Sequence, residues 1–266
     1  VTGLPRSGST LLCQLLAHHP DIYSLGFSSP LCTTLSGLRH QLSDSDFLLA
    51  QLDADRDRVH HRLLNAFRGF INGWFAESDR PYVVDKNRGW LNLLEMAVLL
   101  DPHCKMLVCV RELGQICGSI EAQHRKTLLL DFPDHLANLS RSDRAKKLFA
   151  DDGVVGSPLK AIENVQDLED ALQQRLYYIV FEHLISDPVA VMSSVHRWLG
   201  LIPAPFDPQN LTRLSAESDS YYRYKYPHQT RDRIHPPPRH TIPTRFETTL
   251  RQTFPWYYET FYPGLL

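Results

Sequence analysis

Gly3-Leu4-Pro5-Arg6-Ser7-Gly8-Ser9-Thr10 is the segment of this sequence best equipped for chemistry. It fits the frame GxxxxGx[ST]. A short apolar run precedes it, and Leu11, Leu12, Leu15 and Leu16 follow at helical spacing. A loop between a strand and a helix offers a phosphate its backbone N–H groups and the positive end of the helix dipole. In the nucleoside-triphosphate form of this loop a lysine reaches the outer phosphates. This chain has Ser9 at that position, and its cation is Arg6, three residues earlier. The planar guanidinium fork suits a tetrahedral oxyanion. An ordinary strand–turn–helix connection can produce the same frame.

The elements around the loop decide what can join it. Tyr82-Val83-Val84, Lys105 to Val110 and Leu176 to Phe181 read as buried strands, the second a near-continuous apolar run of the kind covered on both faces of a parallel sheet. Between them the periodicity predicts one or two helices over Pro30–Leu52, a long helix over Asp55–Glu77, and helices over Trp90–Leu100, Leu113–Lys126, Pro158–Gln174 and Val189–Leu199. The long helix carries Val59, Leu63, Ala66, Phe67, Phe70 and Trp74 on one face. Residues Asp131–Ser157 are charged and irregular. Strands alternating with helices indicate an α/β fold with an open, mainly parallel central sheet flanked by helices. Ligands of such sheets bind at the carboxyl ends of the strands. Arg6, Lys86 and Arg111 each come just after a strand, so three cations gather on one rim.

The chain has 266 residues, 43% hydrophobic and 22% charged, with a formal net charge of −2. These values fit a single globular domain over 1–266. They give no basic surplus for nucleic acid, so an anion site must be local. The chain shows no apolar run long enough to span a membrane and no signal peptide, and a full first strand calls for a few residues more than precede Gly3. Five cysteines (Cys13, Cys32, Cys104, Cys109, Cys117) without CxxC spacing read as buried, reduced thiols of a cytoplasmic protein rather than a zinc site. Pro, Arg, His and Tyr crowd residues 203–243, which read as a lid over the site or a wrapping arm.

Three segments together resemble the sulfotransferase family, in its bacterial form. GLPRSGSTLL is similar to that family's 5′-phosphosulfate-binding loop. Asp85-Lys86-Asn87-Arg88-Gly89-Trp90 resembles the segment that supplies a lysine near the transferring sulfur, and Arg111 with Ser119, eight positions on, resembles the pair that binds the donor's 3′-phosphate. YYIVFEHLISDP is a weaker match to the family's late strand and Pro-started helix. The resemblance spans roughly residues 1–200. It implies a P-loop, nucleotide-kinase-like fold and an enzyme that moves a sulfuryl group from 3′-phosphoadenosine 5′-phosphosulfate (PAPS) to a hydroxyl or amine of a small-molecule, glycan or carrier-bound acceptor. The product would be adenosine 3′,5′-bisphosphate (PAP), and no metal would be required.

On that resemblance Ser7, Gly8, Ser9 and Thr10 hold the 5′-phosphate, Arg6 stands at the sulfuryl end, Lys86 stabilises the leaving oxygen, and Arg111 and Ser119 grip the 3′-phosphate. Bland readings stand beside these: a loop lysine, a strand-end ion pair, a helix-surface serine. A general base should take the acceptor's proton. The position where some relatives carry Glu is Phe27 here, which leaves Asp85, His124 and His228. Asp85 is equally a structural partner of Lys86 or Arg88. Tyr221-Tyr222-Arg223-Tyr224-Lys225-Tyr226 interleaves aromatics and cations that suit an adenine or a phosphate, or simply a packed arm. Two other functions stay open. One is a P-loop phosphotransferase, with Asp85 ending a magnesium-binding strand. The other is a nucleotide-binding module without catalysis.

Overall fold

The fold was analysed in a computed structural model that describes residues 1–126, 136–214 and 230–266, with the backbone alone of 217–218 and 227–228. Its strands are β1 (Thr2–Gly3), β2 (Ile22–Ser24), β3 (Tyr82–Val84), β4 (Met106–Val110) and β5 (Leu176–Val180), with a short β6 (Glu217–Ser218) and β7 (Pro227–His228) in the tail. Helices α1 (Ser9–Leu16), α2 (Leu31–Ser43), α3 (Asp46–Ala54), α4 (Arg56–Trp74) and α5 (Leu94–Leu100) fall before β4. Helices α6 (Leu113–Lys126), α7 (Arg141–Phe149), α8 (Gly156–Asn164) and α9 (Asp170–Gln173) lie between β4 and β5. Helices α10 (Phe181–Ser186), α11 (Pro188–Leu199), α12 (Thr244–Thr253) and α13 (Pro255–Phe261) come after β5.

Strands β1, β4 and β5 form a parallel sheet with β4 in the centre, and β2 pairs with β3 in parallel. Val1 joins the two ladders: its nitrogen donates to Asp85 O at 2.6 Å and its carbonyl accepts from Asn87 N at 3.1 Å. All five residues of β4 are buried. Their side chains alternate between two cores, as strand geometry requires. Met106, Val108 and Val110 pack with α5, α6, α8 and the C-terminal aromatics, whereas Leu107 and Cys109 pack with α1 and α11. The expected α/β sheet covered on both faces is therefore present.

Several boundaries differ from the sequence reading. The segment read as a Trp90–Leu100 helix splits into a 3₁₀ turn at Arg88–Leu93 followed by α5. Pro158–Gln174 breaks into α8, a 3₁₀ turn at Val165–Asp167 and α9, with the Gln173 side chain bonding back to Gln166 O and Leu168 O across the break. The irregular stretch contains α7, capped by Ser140 and fastened to α6 by a bidentate, buried Arg144–Glu121 pair at 2.9–3.0 Å. The apolar face of α4 is only partly covered: Val59 is buried, but Phe70 and Trp74 are 37% and 41% exposed. Helix α4 packs on α3, which buries no residue of its own, so the two cover each other outside the main core.

Four of the five cysteines are buried, and burial pushes the Cys32, Cys109 and Cys117 thiols up to about 12. Among the described residues, no helix is long and apolar enough to cross a membrane.

His196 on α11 is 1% exposed, edge-on to His19 at 4.8 Å, and neither of its ring nitrogens has a hydrogen-bond partner among the described residues. Burial, helped by His19, holds its imidazole down at about 4 against an ordinary 6.5. Between those values the unfolded chain binds a proton that the folded chain refuses, so stability is lost as the pH falls below about 6.5. Acidification from pH 7 to pH 5 should cost about 2 kcal/mol through this residue. Scanning calorimetry of His196→Met against the parent protein at both pH values checks this, the variant showing the smaller acid loss.

Candidate active site

The loop after β1 is shaped by close backbone approaches. Gly3 has φ 117°, and a Cβ there would lie 2.2 Å from Cys109 O, so only glycine lets β1 close onto β4 in this register. Gly8, the N-cap of α1, has φ 87°, and a Cβ there would lie 2.5 Å from the Phe181 ring. Between them Arg6 takes φ 59°, alone among the described non-glycine residues. Such a conformation costs about 1 kcal/mol or more and persists where the surroundings over-determine it. The Ser7 hydroxyl turns inward and donates to Leu4 O. Of Ser7, the backbone is then the part left to face a ligand. No side chain caps α1, so its first-turn N–H groups stand at the loop.

Lys86 lies two residues past β3 and is buried. Its Nζ donates to Thr10 Oγ1 at 3.2 Å and to Gly26 O at 2.9 Å, which sets the ammonium at the mouth of the loop helix. A backbone bond from Ser29 N to Lys86 O and a bond from the Asn87 side-chain amide to Ser29 O fix the strand end against the 26–29 turn. Arg111 ends β4 and is 5% exposed. It donates from one terminal nitrogen to Arg6 O at 3.0 Å and lies over the Phe181 ring at 4.5 Å, while its buried Nε has no hydrogen-bond partner among the described residues. Arg6 donates from Nε to Ser119 Oγ at 3.2 Å. Arg6, expected at the sulfuryl end, is thus seated in the same cluster as Arg111 and Ser119, because its left-handed backbone turns the side chain toward α6.

Arg6, Arg111 and Ser119 open onto a cavity of about 720 Å³; Lys86 does not line it but is bonded to Thr10, which does. The loop supplies Gly8, Ser9 and Thr10, and the strand-end cluster supplies Arg111 and Ser119. The tail supplies Arg231, Arg233, His235 and His240, and with Lys126 and Arg6 the wall carries five cations and, among the described residues, no carboxylate. Two glutamines fasten the tail. Gln14 donates to Thr212 O at 2.8 Å and Arg231 O at 2.7 Å, and Gln115 both donates to His240 O and accepts from His240 N. Burial pushes the Arg111 guanidinium below its ordinary value, with Glu182 opposing and Arg6 reinforcing that shift. The His240 imidazole is lowered by burial, then by Arg111 and Arg6. An anion nearby would oppose each of these shifts.

Other expectations fare differently. The two carboxylate oxygens of Asp85 accept from Ser29 Oγ and from Trp90 Nε1, so the group ties β3 to its neighbours and does not line the cavity. His124 is 2% exposed and does not line the cavity either; its charge is felt by buried Glu121. The Tyr221–Tyr226 segment and the side chain of His228 lie outside the described residues. The sequence reading missed Gln14, Gln115, Phe181 and the C-terminal tyrosines. The aromatic run Trp256-Tyr257-Tyr258 was the one available signal, and the proline-rich stretch before it obscured it.

A phosphate-type loop without its lysine thus faces a strand-end arginine across a cavity whose described lining carries no carboxylate, on an α/β fold. Residues 1–205 match the family described as "Sulfotransferase family", and the chain belongs to that family. Among solved structures it resembles the sulfotransferase domain from the curacin biosynthetic pathway, at 19% identity over 78% of this chain and 76% of that one, with a TM-score of 0.43. It also resembles the sulfotransferase domain from the Synechococcus PCC 7002 olefin synthase, at 21% identity over 77% and 72%, with a TM-score of 0.45. No curated protein sequence matches.

Gly8→Ala should place a methyl group against Phe181 and strain the loop. Affinity for PAP should fall ~10-fold or more on the scale of such strain while the fold persists. Calorimetric titration, with circular dichroism as the control, checks it.

Proposed function

We propose that this protein transfers a sulfuryl group from PAPS to a hydroxyl or amine of a small-molecule, glycan or carrier-bound acceptor by in-line displacement. The observation that carries this reading is the buried Arg111, whose Nε has no partner among the described residues and which stands beside the Arg6–Ser119 pair. A charge withdrawn from water needs a counter-charge, and a phosphate supplies one. The five cations of the cavity wall suit a ligand with a 3′-phosphate at one end and a 5′-phosphosulfate at the other.

When bound, the donor contributes an activated sulfuryl group. The residues of the chain bind, orient and neutralise it. Backbone N–H groups from Ser7 to Thr10 and the dipole of α1 hold the 5′-phosphate. Arg111 and Ser119, with Arg6 beside them, clasp the 3′-phosphate. Lys86, held by Thr10 and Gly26, meets the oxygen on which charge develops. A bond forms from the acceptor oxygen or nitrogen to sulfur as the bond from sulfur to the 5′-phosphate oxygen breaks. The electron pair of that bond stays on the phosphate, the acceptor's proton leaves to a base or solvent, and the products are the sulfated acceptor and PAP. With cations of the chain neutralising the charge, turnover needs no added metal. On this reading residues 1–266 act as one domain, and the tail residues from Thr230 to His240 that line the cavity cover the donor.

Two substitutions test the assignment. Lys86→Ala should lower turnover with PAPS ~100-fold or more, the usual loss for one positioned charge-stabilising donor; unchanged turnover removes Lys86 from the chemistry. Arg111→Ala should weaken PAP binding by about 2 kcal/mol, the scale of a lost charge-assisted hydrogen bond, and leave 5′-AMP binding unaltered. Calorimetry with the two nucleotides decides it, and equal losses for both overturn the 3′-phosphate role.

A further inference from the structure

The C-terminal helix α13 sends three tyrosine hydroxyls to the elements that form the arginine cluster. Tyr257 OH accepts from Arg111 N at 3.2 Å and donates to Arg111 O at 2.8 Å, so one phenol fixes both backbone groups of the residue at the end of β4. Tyr258 OH donates to Glu112 Oε1 at 2.7 Å. The Glu112 carboxylate in turn accepts from Gly114 N and Gln115 N, capping α6, the helix that carries Ser119. Just past the helix, Tyr262 OH donates to Glu182 Oε2 at 2.7 Å. Glu182 follows Phe181, the ring that lies against Arg111 and closes on Gly8.

These contacts span about 80 to 146 positions of sequence. Tyr257 and Tyr258 are fully buried. Burial pushes all three phenols well above their ordinary range, so they remain neutral donors at any working pH. All three also lie beyond residues 1–205, the stretch that carries the family match.

We propose that Tyr257, seconded by Tyr258 and Tyr262, is a positioning residue for donor binding: it sets the backbone of Arg111, and through it the guanidinium, at the 3′-phosphate end of the nucleotide. This rests on the reading of Arg111 as a 3′-phosphate ligand. Without the Tyr257 hydroxyl, the Arg111 N–H and C=O are left buried and unpaired, and the strand end relaxes to satisfy them. The guanidinium moves with it. The 5′ end of the site, built on the β1–α1 loop, does not.

The experiment is calorimetric titration of Tyr257→Phe with PAP and with 5′-AMP, which lacks the 3′-phosphate. PAP affinity should fall ~10-fold, as for one lost hydrogen bond, with 5′-AMP affinity unchanged, and the substitution should have no further effect in an Arg111→Ala background. Tyr178→Phe is the control for loss of a phenol hydroxyl alone, because that hydroxyl accepts from Gln166, its ring packs on Phe261, and among the described residues it makes no bond to Arg111, Glu112 or Glu182. It should lower the thermal midpoint and leave both affinities intact. If Tyr257→Phe does not fold, Tyr258→Phe carries the test, with a loss of ~3-fold for PAP alone. Weak PAP binding by Arg111→Ala together with full PAP binding by Tyr257→Phe overturns the positioning role and leaves the function standing. Full PAP binding by Arg111→Ala overturns the reading on which both depend.

Discussion

A guanidinium buried at the end of the central strand is the constraint around which this structure is organised. Removing a cation from water is costly, and Arg111 is compensated only in part, by the Arg6 carbonyl, the Phe181 ring face and the field of Glu182. Arg6 raises that cost by standing close with the same charge. Such a cluster persists when its surroundings are rigid. Here the rigidity comes from β4, whose five buried residues are locked between two cores. The site draws on packing free energy to hold cations where an anion will meet them already oriented, so little reorganisation is left for the moment of binding.

The phosphate loop obeys the same logic with backbone in place of charge. Gly3 allows β1 to lie against the Cys109 carbonyl, Gly8 allows the helix to start against Phe181, and Arg6 takes a conformation that few side chains tolerate. Phe181 belongs to both halves, since it packs on the loop glycine with one edge and on Arg111 with its face. The two ends of the site are thus mechanically joined through one aromatic ring, although β1, β4 and α10 are far apart in sequence.

What could be read from the sequence divides along physical lines. The loop frame, the strand runs and the Arg111–Ser119 offset were legible because local geometry fixes them: a strand end and a point two helical turns on are related by the backbone alone. The apolar stripe of α4 was legible as a pattern, but periodicity says which face is apolar and not how much of it is covered, and Phe70 and Trp74 stay exposed. Asp85 and His124 were plausible by residue type alone. Their roles are set by where Ser29 and Trp90 sit and by which side of α6 faces inward, which only tertiary packing decides. The C-terminal tyrosines were illegible for the same reason: a hydroxyl bonding a backbone 146 positions away leaves no periodic trace.

The way the tail is held completes this division of labour. Gln14 and Gln115 fasten it through neutral amides. Gln115 offers His240 one donor and one acceptor, just as a neighbouring peptide group would. An ion pair at these points would have introduced a carboxylate into the wall, where it would draw on the same guanidinium groups that a phosphate needs. Amide contacts close the cavity without spending its positive potential. The carboxylates nearest the cluster, Glu112 and Glu182, instead stand behind it, each engaged by a tyrosine hydroxyl. From there they offset the repulsion among the cations and leave the ligand-facing side positive.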